Sequence, residues 1–326
     1  MKFYQSMKAT ILHLWLVMLV LGCAQSYAVD LDQNESKTIK VTLLGTGTPA
    51  VRAHRSGPST MVQAGGETLL FDVGRGAVLR LQQAGVRFDE VDEVFLTHLH
   101  SDHLVGLPDL WLSGWVLGRR NQSLKIRGPY GTKLLLEHLA LAFSYDIDIR
   151  SNGSAKLPVG GVETIVTEIS EGVVYQKNGV SVTAFGVDHD PVKPAFGFRV
   201  DYGGRSVVIS GDTLYSRNLI KHAQGVDVLI HEVAYANEME RKNPFYEYIV
   251  STHTTPQEAA KIFSETKPRL AVYTHVITWD VSSDAELVPE TKKTYSGEVV
   301  VGEDLMVIEI GEEIHVLDTA GIRMTL

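Results

Sequence analysis

Three histidines and an aspartate fall within six consecutive positions, His98-Leu99-His100-Ser101-Asp102-His103, directly after the run Val94-Phe95-Leu96-Thr97. Imidazole suits zinc and related ions, and a carboxylate can hold a second ion or its water. The pattern predicts a buried strand, a tight loop and the start of a helix, continued by Leu104-Val105-Gly106-Leu107. His98 and His100, two apart at a strand end, can point the same way. Asp102 and His103 lie past the bend and can face a second position. A merely polar, His-rich loop is the plain alternative, and this order after an apolar strand makes it the weaker one.

Further along, other strand-like runs end on chemically similar residues. Val182–Val187 leads to Asp188-His189-Asp190-Pro191, and Ser206–Ile209 leads to Ser210-Gly211-Asp212-Thr213. Asp212, on a glycine turn after an apolar strand, is placed where a carboxylate could bridge two ions. Val226–Ile230 delivers His231-Glu232, and Leu270–Tyr273 delivers Thr274-His275. Thr255, Pro256 and Glu258 form a helix-start signature for 256–265, and His253 lies just before it. Each late histidine alone would more often be structural. Strand ends carrying 98/100, 189, 212, 232 and 275 at one edge of layered sheets imply one site.

The elements that must position these groups fit an α/β chain. It has 326 residues, 44% hydrophobic and 21% charged, which is globular composition without a break that marks a linker. One domain over 29–326 is expected. The net charge of −9 disfavours a long nucleic acid as partner, since no basic cluster exceeds Arg119-Arg120 or Lys292-Lys293. Lys2 and Lys8 precede the apolar run Ile11–Gly22, and Ser26 and Ala28 suit cleavage before Val29. Residues 1–28 therefore read as a signal peptide and the protein as exported, to the periplasm. An uncleaved anchor is the alternative, although the apolar run is shorter than the ~20 residues a span needs. Val20-Leu21-Gly22-Cys23 loosely resembles a lipobox, so a stable membrane partner is expected only if Cys23 is lipidated. Cys23 is the only cysteine, so a chain cut after Ala28 has no thiolate chemistry. The oligomeric state is left open.

Smaller features carry two readings each. Gly45-Thr46-Gly47-Thr48-Pro49 ends the strand Ile39–Leu44 in a turn that could cradle an anion with backbone N–H groups. Arg52, His54 and Arg55 follow, either as a solvated loop or as a cationic lip for an anionic substrate. Met61–Ala64 and Thr68–Phe71 pair as a hairpin across Gly65-Gly66. Asp72 either supports a histidine ligand or caps the next helix. Trp111 and Trp115, four apart on one helix face, are core or the wall of an aromatic pocket. His138 reads as surface or packing. Residues 151–182 read as strands and turns.

Taken together, Leu44-Gly45-Thr46-Gly47-Thr48-Pro49, Phe71-Asp72-Val73-Gly74, the 97–103 motif, Gly211-Asp212-Thr213, His231-Glu232-Val233-Ala234, His253-Thr254-Thr255 and Thr274-His275 resemble the ribonuclease Z-like branch of the metallo-β-lactamase superfamily. The resemblance implies an αββα sandwich binding two zinc ions. By motif match, His98, His100 and His189 would hold one ion, and Asp102, His103 and His275 the other. Asp212 would bridge. Glu232 and His253 match the pair that serves the leaving group. Only 22 residues separate His189 from Asp212, which leaves no room for the long tRNA-grasping arm of that branch. With Tyr295-Ser296-Gly297-Glu298 and Val301–Met306, this points to the exported zinc arylsulfatases within the branch.

The expected chemistry is hydrolysis. Two ions ~3.5–4 Å apart lower the pKa of a held water toward ~7. Asp102 and Asp212 would orient it, and His253, oriented by Glu232, could protonate the departing oxygen. The leading expectation is an arylsulfatase acting on a small aryl sulfate ester, with no nucleic-acid partner. The alternative is a zinc phosphodiesterase on small or nucleotide substrates. A metal-binding module without turnover is the third. The residues alone do not choose between sulfur and phosphorus, and that step rests on the resemblance.

Overall fold

The structure is a computed structural model that describes residues 37–279 and 281–324. The signal peptide expected at 1–28, and its alternatives at Cys23, lie outside the described residues. Strands β1 (Ile39–Gly45), β2 (Ser59–Ala64), β3 (Glu67–Phe71), β4 (Glu93–Phe95), β5 (Leu124–Gly128) and β6 (Thr164–Glu168) enter one sheet. The chain then builds a second sheet from β7 (Gly172–Lys177), β8 (Val180–Gly186), β9 (Phe196–Tyr202), β10 (Arg205–Ile209), β11 (Val228–Ala234), β12 (Leu270–Ile277) and β13 (Val299–Val301). It returns to the first with β14 (Val307–Ile310) and β15 (Ile314–Leu317). Among the described residues the first sheet has eight strands, ordered β15-β14-β1-β2-β3-β4-β5-β6. The second has seven, ordered β13-β12-β11-β10-β9-β8-β7.

Three apolar clusters define the layers. Ile39, Val41, Leu69, Phe71 and Phe95 of the first sheet pack on Val182, Phe198, Val207, Ile230 and Val272 of the second. On the first sheet's other face, Leu70, Val94 and Ile126 meet helices α1 (Ala77–Gln83), α2 (Leu107–Val116) and α3 (Thr132–Ala142). A helix α4 (Ser144–Asn152) follows, so the segment read as strands and turns from 151 onward begins inside a helix. On the second sheet's outer face, Val208, Leu229 and Ala271 meet α5 (Arg217–His222), then, past α6 (Pro244–Ser251), α7 (Pro256–Thr266) and α8 (Leu287–Lys292). This is the αββα sandwich. Both sheets are covered on both faces, so their central strands must be apolar throughout. Val94 and Leu96 face the helices while Phe95 between them faces the other sheet, the two-residue period of a strand. Phe71 and Phe95 stack with centroids 4.9 Å apart, and Phe198 closes on both at 5.3 and 5.6 Å. That aromatic knot lies at the strand ends from which Asp72 and the histidine motif emerge.

Trp111 and Trp115 are core. Both are buried, with Nε1 donating to the carbonyls of Val162 and Pro158. His138 is exposed, and the Thr255–Glu258 capping box is present.

Candidate metal centre

The turn after β3 sets the site's floor. Asp72 stands at φ 58°, and its carboxylate accepts the Thr97 N–H and hydroxyl, each at 2.8 Å. Asp72 Oδ2 also lies 2.7 Å from His103 Nδ1. Asp72 therefore supports a histidine. It does not cap α1, whose N-cap is Gly76 without a side-chain bond. Val73 N–H donates to His103 O and Gly106 N–H to Val73 O, so the histidine loop is sewn to this turn. A Cβ on Gly74 would meet Gly57 C at 2.3 Å and Asp102 O at 2.7 Å, so only glycine allows that approach. The expected tight loop is one 3-10 turn, Ser101–His103, and the expected helix after it, α2, begins at Leu107. That turn brings Asp102 and His103 round to the second position.

From the other sheet, β8 delivers His189, and Gly211, at φ 62°, turns the chain so that Asp212 enters the site. Glu232 lies inside β11, not beyond its end. His275 does not end β12. It is the extra residue of a bulge, at φ 43°, between the pairs Glu232↔Thr274 and Val233↔Val276. The bulge breaks the strand's alternation and aims the imidazole into the site.

All seven residues expected from the sequence as metal ligands converge. Asp212 Oδ2 lies 3.4 and 3.3 Å from the Nε2 atoms of His103 and His275, and 3.8 and 3.9 Å from those of His98 and His189. Asp102 Oδ2 lies 3.3 Å from His275 Nε2 and 3.5 Å from His103 Nε2. His189 Nε2 faces His100 Nδ1 at 3.3 Å. Donors held ~2.0–2.2 Å from one tetrahedral ion stand about 3.3–3.6 Å apart, so most of these spacings are those of a shared cation. Two groups take up the seven, His98-His100-His189-Asp212 and Asp102-His103-His275, with Asp212 reaching both, and Asp212-His253-His275 is a third, overlapping group. His98 Nε2, His103 Nε2 and Asp212 Oδ1 are buried without a hydrogen-bond partner. Buried polar atoms are otherwise almost always satisfied, so this donor set fits a pair of zinc-like ions. His100 is exposed and marks the open side.

Charges in this pocket are strongly biased. Burial, with the charge of His103, pushes His98 well below the usual imidazole range. Burial also lowers His100 and His189. Burial alone would depress His103, but Asp212 and Asp72 outweigh it and hold the ring well above that range. Burial likewise opposes charge on Asp212 and Asp102. Surrounding histidines win, keeping Asp102 lowered and Asp212 well below the carboxylate range.

Beside these donors, His253 Nδ1 stands 3.3 Å from Glu232 Oε1. That oxygen also accepts the N–H groups of Thr254 and Thr213 at 2.9 and 3.2 Å, which fix the carboxylate. Burial disfavours the imidazolium, yet Glu232 and then Asp212 push His253 up to about 9. The backbone N–H of His253 donates to Val250 O, tying the residue's main chain to the last turn of α6.

The expected anion cradle at the 45–49 turn is filled from within. Asp304 accepts Thr46 N–H at 3.0 Å, the Thr46 hydroxyl at 2.9 Å and Ser56 N–H at 2.6 Å, and pairs with Arg80 at 3.0 Å. The cationic lip is likewise spent on the fold: Arg55 is buried on Asp284, Thr46 and Gly302 O, and Arg52 bonds Thr278. His54 stays exposed. Thr97 went unnoticed in the sequence as an orienting group. The only signal was a hydroxyl residue breaking an apolar strand just before the first histidine.

Residues 67–276 match the family described as Beta-lactamase superfamily domain. The chain is 35% identical over 281 residues to a ribonuclease Z of Mycolicibacterium gilvum, covering 83% of this chain and 96% of that protein. It is 34% identical over 281 residues to a ribonuclease Z of Mycobacterium marinum, covering 83% and 99%. Among solved structures it superposes on the metallo-beta-lactamase fold protein YhfI of Bacillus subtilis with a TM-score of 0.67 at 22% identity, covering 83% and 99%. It superposes on the human tRNase Z, short form, with 0.62 at 24%, also covering 83% and 99%. The named relatives are ribonucleases. They overturn the arylsulfatase expectation, and with it the aryl sulfate substrate and the exclusion of nucleic acid. The physical reason is plain. The same donors serve a sulfur or a phosphorus ester, and a whole-chain charge of −9 does not report the field at one cleft.

Proposed function

The chain belongs to the metallo-β-lactamase superfamily and, within it, to the ribonuclease Z-like branch, and from that premise we propose that it is a zinc-dependent phosphodiesterase whose substrate class is RNA. His98, His100 and His189 would hold one ion and Asp102, His103 and His275 the other, with Asp212 within reach of both groups. When bound, the two ions supply Lewis acidity to the phosphate's non-bridging oxygens and a water ionised near neutral pH. Asp102 and Asp212 would flank a water held there, and a carboxylate oxygen would accept its hydrogen bond and set its line of approach. His253 carries a proton at neutral pH on the nitrogen turned away from Glu232. It gives that proton to the departing ribose oxygen, a far poorer leaving group than a phenolate. Glu232, fixed by Thr213 and Thr254, keeps the ring oriented and favours its charged form.

The observation that carries this reading is the Glu232–His253 pair at 3.3 Å beside the seven donors, in a chain whose named relatives are ribonucleases. Export through residues 1–28 belongs to the same proposal, and the mass of the secreted chain tests cleavage after Ala28. The catalytic test is a matched set of assays on the zinc-loaded protein with an RNA oligonucleotide, bis-nitrophenyl phosphate and nitrophenyl sulfate, with and without chelator. Chelator-sensitive cleavage of both phosphodiesters supports the reading. Hydrolysis of the sulfate alone, or of none, overturns it.

A further inference from the structure

Three aromatic residues, Phe245, Tyr246 and Trp279, stand together on segments that lead to His253 and His275. Tyr246 and Trp279 stack face to face, 3.9 Å between centroids and 9° between planes. Phe245 tilts onto both at 6.0 and 6.4 Å. Phe245 is 60% exposed, which folded proteins rarely allow for a clustered aromatic without a use. Two chain segments meet here, and both lead to the metal centre. α6 ends at Ser251, and at ~1.5 Å per residue Tyr246 lies roughly 10 Å from His253. Trp279 follows His275 by four residues, at most about 14 Å of chain.

The mount is rigid. Val250 and Ile277 are buried against Ala234 and Ala236, with Trp279 packed onto them. Thr278, next to Trp279, accepts from Arg52 at 3.1 Å and donates to Asp284 at 2.5 Å. Trp279 Nε1 is buried without a partner, a donor the fold leaves unused.

We propose that Phe245, Tyr246 and Trp279 form a stacking platform for the base of the nucleotide that departs on the His253 side of the cleaved bond. The proposal rests on the phosphodiesterase reading and names the subsite that gives it a nucleotide preference. A flat, open ring surface accepts any base, because each base has a π face, and sugar or phosphate alone gains little from it. The platform sits on the two segments that carry His253 and His275, which places it on the leaving side of the substrate.

The test reads binding separately from cleavage. Adenosine monophosphate and ribose phosphate are titrated against the zinc-loaded protein while tryptophan emission is followed. In the chain beginning at Val29, which lacks Trp15, Trp111 and Trp115 are buried in the core, so a ligand on the surface quenches Trp279. The proposal expects quenching by the nucleotide and not by ribose phosphate. It expects Trp279→Ala to weaken nucleotide binding roughly tenfold by calorimetry, and Trp279→Phe to keep most of it. With RNA oligonucleotides, removing the leaving-side base should raise KM about as much as Trp279→Ala does, with no further loss when both are combined. Equal quenching by both ligands, or none, overturns the platform even if RNA is cut. Nucleotide quenching without RNA cleavage keeps the platform and sinks the ribonuclease reading. A change of oligomeric state in Trp279→Ala, with nucleotide binding intact, also overturns it and marks the patch as self-association surface.

Discussion

Asp72 Oδ2 lies 2.7 Å from His103 Nδ1 and 2.8 Å from the Thr97 hydroxyl, which stands 3.0 Å from His98 Nδ1. One carboxylate thus fixes a histidine in each ligand group, His103 directly and His98 through Thr97, and leaves both Nε2 atoms facing inward. Removing such a support costs roughly 10–100-fold in metal affinity. Asp72→Asn should lose about that much, measured by zinc competition against a chelator, with Thr97→Val losing less. Unchanged affinity in Asp72→Asn would show that the ligands need no such orientation.

His253→Ala should lower kcat on RNA by about 10²–10⁴, the usual reach of a general acid. It should lower kcat on bis-nitrophenyl phosphate far less, because nitrophenolate leaves without a proton. Glu232→Gln should follow the same order with smaller losses. Equal losses on both substrates would remove the acid role from His253.

Zinc loading should release protons. In the ion-free fold His103 is held well above the usual imidazole range, so it is charged at neutral pH and must lose a proton to offer a lone pair. The sign follows: zinc affinity weakens as pH falls, because more histidine protons must be displaced. Calorimetric titration in two buffers of different ionisation enthalpy measures the protons released. Proton uptake, or an affinity flat from pH 8 to pH 6 (a window chosen around ~6.5, the ordinary imidazole pKa), would contradict it.

Asp304 carries a structural prediction. Its carboxylate satisfies Thr46 and Ser56 N–H groups and Arg80 from 258, 248 and 224 residues away. Asp304→Ala strands those partners in a buried place and should cost about 3–5 kcal/mol in chemical denaturation. A cost within ~0.5 kcal/mol, that of an ordinary surface change, would mean the turn rearranges freely.

Much of the site was legible because metal chemistry restricts residue types and the short motif 98–103 concentrates them. His189 and Asp212 were legible because each follows a strongly apolar strand, and Glu232 because it is the acid within one. The aim of His275 was not, since it depends on a bulge and a positive φ that spacing does not reveal. Nor was the filling of the Thr46 turn, whose partner Asp304 lies at the far end of the chain. Tyr246 and Trp279 stack only because two distant segments flank one strand pair. The choice of phosphorus over sulfur was hidden for a chemical reason, since both esters present the same oxygens to the same donors.

The central claim is that seven converging side chains hold two ions that the hydrolysis requires. The most direct measurement is zinc content per folded chain, taken alongside phosphodiester cleavage, for the wild type and Asp212→Ala. The account predicts two zinc ions in the wild type, loss of zinc and cleavage together on chelation, recovery of both on adding zinc back, and a deficit of both in Asp212→Ala. A folded wild type that takes up no zinc, or that cleaves equally well without it, would contradict the account.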